Sequence, residues 1–348
     1  AVFWGSLQHP GAYALFNPVA DSVDRGLSAF TSANADFLTA LKNNVLFYVL
    51  LPIRIGLDQA VLPFTWGFAW TPAMSLGLFA AGAAAGLVFA LRGKPALGVM
   101  LLIAAGMLET GISQLPWPFV LVGAGALAWV AGGRGLAILT VVLLATILLS
   151  GLWERALLSL YLSGAAVFAC AVMGGAVGLV SAVSPGVWRV VRPVCDMLQT
   201  IPLFVFLIPV LMVFQIGEFS AFLAIIAYAI VPMIRYTRHG LVSTPEEMIE
   251  AATASGATRW QMLKDIRAPY AAPSILLGLN QTILYAFAML VIAALIGTTG
   301  LGQSIYLALG QADVGLGISA GAAMAILALI ADRMVQGFAE ERRKALGL

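Results

Sequence analysis

Chemistry in this 348-residue chain must come from few groups, because 61% of its residues are hydrophobic and only 10% are charged. Cys170 and Cys195 lie in or beside apolar segments without CxxC spacing, so neither reads as a metal ligand or a disulfide partner. His9 and His239 are far apart and outside apolar helices, which disfavours a membrane haem. A nucleotide-binding P-loop is absent: of the four lysines, only Lys94 follows a glycine, and Pro95 stands where Ser or Thr belongs. Glu109, Glu218, Asp196 and Asp332 fall toward the ends of apolar runs, not in the middle where an ion-coupled carrier places ionisable groups. What remains are polar residues inside those runs: Gln199 and Thr200, followed by Pro202, and Asn280, Gln281 and Thr282. An unsatisfied amide or hydroxyl in hydrocarbon is costly, so these six are candidates for a translocation path, with an interhelical hydrogen bond or a proline kink as the competing use. Phe204, Phe206, Phe214, Tyr228, Tyr285 and Phe287 offer ring faces to a methylammonium cation, although packing and interface anchoring are commoner uses of such residues.

The elements that must carry these residues are membrane helices. Mean hydropathy is +0.98, and Lys plus Arg (18) barely exceeds Asp plus Glu (16), which argues against both a soluble domain and nucleic-acid binding. Windows of about 20 apolar residues predict an all-α, polytopic bundle. About nine transmembrane helices fall near 73–91, 95–112, 117–133, 135–152, 156–182, 199–217, 220–238, 272–297 and 315–335. The 37–63 stretch carries Lys42, Arg54 and Asp58, with Pro52 and Pro63 as breakers, and reads as an interfacial helix. With the N-terminus outside and the C-terminus cytoplasmic, fourteen Lys and Arg residues fall inside against four outside, the asymmetry expected of cytoplasmic loops. Gly82/Gly86 and Gly174/Gly178, each pair four apart, allow close helix approach. No signal peptide is visible in the first forty residues, and a start at Ala1 rather than Met leaves room for residues upstream.

One polar loop stands out, spanning about 240–270. Thr244, Pro245 and Glu247 have capping-box spacing, which predicts a helix stopping at Gly256. Thr258 and Gln261 repeat the spacing, so a second short helix should run from Arg259 until Pro269 interrupts it. Met248, Ala251, Ala252, Trp260 and Leu263 would form an apolar ridge. Its two uses are docking to something outside the membrane or lying along the bilayer surface.

Glu250-Ala251-Ala252, then Gly256, Ile266 and Pro269 at matching intervals, resembles the EAA loop of binding-protein-dependent ABC importer permeases. That family usually has Leu before the final proline; here it is Ala268, which is expected to alter local packing without abolishing docking. Arg192-Pro193 through Gln199-Thr200-Ile201-Pro202, Gly278 through Thr282, and Gly297 through Gln303 resemble the branch carrying glycine betaine, proline and related compatible solutes. The resemblance runs over about 117–335. It implies a permease subunit in the bacterial inner membrane, a homodimer importing a small-molecule solute such as glycine betaine, proline or choline. It also implies a periplasmic or tethered substrate-binding protein and a cytoplasmic ATP-binding subunit that hydrolyses ATP with Mg, this chain being no enzyme and holding no cofactor or metal. Glu250, Ala251, Ala252, Gly256, Trp260 and Leu263 would then dock the ATPase subunit. The implied division is an extracytoplasmic segment over 1–66, additional N-terminal transmembrane helices over 67–134, and a core permease domain over 135–348. The alternatives are an ion-gradient-driven secondary transporter without an ATPase partner and a membrane anchor that moves no solute.

Overall fold

Apolar runs of this length satisfy their backbone hydrogen bonds internally only as helices, and every long element here is one. The computed structural model describes the backbone of residues 10–345 and the side chains of residues 18–205 and 207–344. His9, Ala1 and the Phe206 side chain lie outside the described residues. The helices are α1 (Pro10–Ala33), α2 (Ala35–Ile55), α3 (Pro72–Leu91), α4 (Pro95–Thr110), α5 (Trp117–Leu149) and α6 (Trp153–Val183). They continue with α7 (Pro185–Thr200), α8 (Leu203–Phe214), α9 (Glu218–Val242), α10 (Glu246–Ala254), α11 (Arg259–Ile296), α12 (Leu301–Gln311) and α13 (Val314–Ala345).

Among the described residues, seven helices are long and apolar enough to cross a membrane, and eight if the bent pair α7–α8 counts as one span. The seven include α2, placed at the interface by its sequence. Pro52 does not break it, because a π-helical turn over Leu46–Leu50 precedes the proline and Leu51 donates its amide five residues back to Leu46. The wider turn moves away the carbonyl that a proline ring would meet. α11 uses the same device: Met262–Arg267 is π-helical and the Ala268 amide reaches Leu263. Pro269 therefore continues the helix into the core, contrary to the interruption its position predicts.

α5 covers two predicted windows, 117–133 and 135–152. Gly132 (φ −150°) and Gly133 (φ +76°) leave helical geometry, and a Cβ on Gly125 would stand 3.0 Å from the Val141 side chain. A straight helix would separate those positions by about 24 Å, so the two arms fold back on each other. At 16 residues α4 is about 24 Å long, shorter than a hydrocarbon core of about 30 Å. The 199–217 window is not one element: the chain bends by 108° between α7 and α8. Pro202 lacks an amide, and Ile201 before it is extended (φ −67°, ψ 130°).

The core centres on α6, α9, α11 and α13. Small residues set the approach distances: a Cβ on Gly178 would lie 2.7 Å from the Ile234 carbonyl oxygen, and one on Gly82 would lie 2.6 Å from Ala105 Cβ. Large apolar side chains on the outside, such as Leu76, Leu149 and Phe168, remain exposed. In a membrane protein their solvent is hydrocarbon.

Candidate functional site

The polar loop joins the end of α9 to the π-helical start of α11. Thr244 is buried there, but it does not cap the following helix. Its hydroxyl donates back to the Leu241 carbonyl at 3.3 Å, and α10 starts one residue after Pro245 without a side-chain cap. Continuation of α9 to Val242 turns the threonine toward the preceding helix. α10 closes as a Schellman motif: the Gly256 amide donates to Thr253 and the Ala257 amide to Ala252, each at 3.0 Å. Gly256 has φ +78°, the left-handed conformation that favours glycine. The second capping box forms as its sequence predicts, with the Thr258 amide donating to Gln261 Oε1 at 2.8 Å and the Gln261 amide to Thr258 Oγ1 at 3.3 Å.

The outcome is helix, glycine bend, helix. Glu250, Ala251 and Gly256 are exposed, while Ala252 and Leu263 are half-buried. Trp260 is 67% exposed, a large apolar side chain left uncovered among the described residues. Ser255, Gly256, Ala257, Gln261, Asp265 and Ile266 line an open concavity of about 290 Å³ beside it. α7 is fastened to α9: Arg238 lies over the Trp188 ring at 4.2 Å and Asp196 pairs with Arg235, while within α7 Asp196 also lies 4.0 Å from Arg192.

The six path candidates do not converge. Gln199 and Thr200 are exposed at the end of α7 and do not open a span; Thr200 donates to the Met197 carbonyl, and Pro202 sits at the N-cap of α8. Asn280 is buried between α11 and α13, donating to Asp332 Oδ1 at 2.7 Å, and Gln336 donates to the same oxygen at 2.8 Å. This is the interhelical tie that competed with a path role. Thr282 is fully buried with an unpartnered hydroxyl. Gln281 is half-buried, and its side chain has no protein partner among the described residues.

Sequence reasoning missed the pairings between distant helices. Tyr228 of α9 and Tyr285 of α11 stack with centroids 4.9 Å apart and planes inclined by 16°. At the opposite end of the bundle, Arg54 of α2 pairs with Glu218 at 2.6 Å, while Lys42 donates to the Phe214 carbonyl at 2.9 Å. No local pattern reveals contacts between residues so far apart in the chain. Among the described residues no group of three or more His, Cys, Asp or Glu is placed to hold a metal.

The family model for the binding-protein-dependent transport system inner membrane component matches residues 172–344, from the second half of α6 to the end of α13. The glycine betaine transport system permease protein OpuAB of Bacillus subtilis (strain 168) is 36% identical over 234 residues, 67% of this chain and 83% of OpuAB. The chain belongs to this family. It is a multi-pass protein of the bacterial inner membrane. The glycine betaine/proline betaine transport system permease protein ProW of Escherichia coli (strain K12) is 37% identical over 66% of this chain. The trimethylamine N-oxide transport system permease protein TmoV of Pelagibacter ubique (strain HTCC1062) is 40% identical, also over 66%. The match spans 65% of ProW's length and 32% of TmoV's. A chain in the structure of the MetNI methionine ABC transporter superposes with a TM-score of 0.47 at 22% identity, covering 56% of this chain and 95% of that one. α1 through α5 precede the segment the family model matches.

Proposed function

We propose that this chain is the permease subunit of an ATP-driven importer for a quaternary-amine or related compatible solute. The observation that carries the reading is the helix, glycine bend and helix over 246–267, which leaves Trp260 and the Gly256 concavity uncovered. Two such loops, one from each subunit of a homodimer, would seat on two cytoplasmic ATP-binding subunits. Nucleotide-driven closure would rock them and, through the unbroken α11, shift the core between outward- and inward-open states. Glu250, Ala251, Ala252, Gly256, Trp260 and Leu263 make the docking surface. ATP and Mg belong to the partner, and this chain catalyses nothing. A substrate-binding protein delivers the solute at the other end.

The topology that goes with this reading has nine crossings, N-terminus outside and C-terminus cytoplasmic. The α5 hairpin supports it by returning the chain at Gly132–Gly133, beside Arg134. In that count α2 lies at the interface and does not cross, so residues 1–66 would be an extracytoplasmic segment, 67–134 additional helices, and 135–348 the core permease. The solute class follows the names of the relatives, whose substrates include glycine betaine, proline betaine and trimethylamine N-oxide.

The test is radiolabelled glycine betaine uptake into vesicles containing this chain with and without its ATPase subunit and binding protein. Uptake that needs all three and stops with vanadate is the expected result. Uptake by the chain alone, collapsed by an ionophore, would overturn the reading in favour of a gradient-driven carrier.

A further inference from the structure

Tyr228 and Tyr285 sit at matching depth. Tyr228 lies ten positions after Glu218, where α9 begins, and Tyr285 eleven before Ile296, where α11 ends. At 1.5 Å per residue both rings are about 15 Å from the same end, the midplane of a hydrocarbon core about 30 Å thick. The rings stack on each other and rest against the core on one side. Each remains partly exposed, and neither hydroxyl has a protein partner among the described residues. Gln281, one helical turn from Tyr285 on the same face of α11, is half-buried and equally unpartnered among the described residues.

Two phenols and an amide without partners are costly against lipid tails, so this face belongs to a water-filled path or an interface that satisfies them. A stacked pair also presents a rigid π face. Such a face attracts a cation most strongly where water is scarce.

We propose that Tyr228, Tyr285 and Gln281 form a transient mid-membrane site for the N-methylated, positively charged nitrogen of the solute. The methyl groups lie on the open ring face, while the Gln281 amide or a phenol donates to the solute's anionic oxygen. This rests on the transport reading above and adds to it a solute contact within the permease.

The test uses the whole complex of permease, ATPase subunit and binding protein in proteoliposomes, with radiolabelled glycine betaine at saturating binding protein. Tyr228→Leu and Tyr285→Leu should each lower turnover about tenfold, the loss of one desolvated cation–π contact, while Tyr228→Phe and Tyr285→Phe stay within about twofold of wild type. The Leu variants should assemble normally, with unchanged melting temperature. Leu variants that transport like wild type would overturn the site and leave the transport reading standing. So would Leu and Phe variants equally impaired with lowered melting temperatures, which would make the pair a packing contact. A wild-type complex that moves no N-methylated solute would overturn both.

Discussion

The bend at Gly256 can be tested quantitatively because the structure separates the two ways a side chain could disturb it. A Cβ at this position would meet no heavy atom within 4 Å, so steric exclusion within the chain contributes nothing. The remaining cost is conformational: φ is +78°, and an L-residue in the left-handed region costs about 1–2 kcal/mol. Since about 1.4 kcal/mol is a factor of ten in an equilibrium, Gly256→Ala should reduce the docking-competent loop, and hence affinity for the ATPase subunit, about tenfold. Gly256→Asn should lose less, because asparagine tolerates that conformation. Gly256→Leu should lose more, since its side chain also enters the concavity lined by Gln261 and Ile266. The assay is binding of the purified ATPase subunit to permease in detergent, with uptake and ATP hydrolysis measured on the same preparations. Melting temperature should stay constant because the bend is exposed. The order Asn, Ala, Leu is the signature of a backbone requirement at a docking surface. Equal binding by all three variants would refute it, and Asn as harmful as Leu would show that space, not backbone conformation, is limiting.

Further expectations concern what holds the bundle. Gly178→Ala should lower stability by about 1–3 kcal/mol, because its Cβ would meet the Ile234 carbonyl oxygen at 2.7 Å. Gly164→Ala on the same helix meets nothing and should be neutral; melting in detergent compares them. Asn280→Ala takes a 2.7 Å donor from Asp332 and should cost about 2 kcal/mol, measured by unfolding in mixed micelles. Arg54→Gln leaves Glu218, whose side chain is 14% exposed, without its charged partner, at a cost of about 2 kcal/mol. A double-mutant cycle with Glu218→Gln should show most of that as coupling, and absence of coupling would mean that α2 does not anchor the loop between α8 and α9.

Much of this protein was legible in its sequence because it rests on short-range rules. Hydropathy alone marks the long apolar segments, since a chain in hydrocarbon must satisfy its own backbone. The Thr258–Gln261 box and the Gly256 turn were equally readable, because both close hydrogen bonds within five residues. The four-residue glycine spacings foretold close contact for the same reason of period.

Only the tertiary structure decided the rest. Proline rules predicted breaks at Pro52 and Pro269, but each follows a π-helical turn that keeps the helix intact. The same rules underestimated Pro202, where the chain bends sharply between two separate helices. Thr244 had the spacing of a cap and a different partner, because α9 runs on to Val242 and brings the Leu241 carbonyl within reach. Asn280 with Asp332, Tyr228 with Tyr285 and Arg54 with Glu218 join positions 52, 57 and 164 residues apart. Such pairs depend on the rotation and depth of each helix against its neighbours, which glycine contacts fix in space and no local period encodes. The sequence therefore determined which segments are helices and where the loop bends, and helix packing determined which side chains meet.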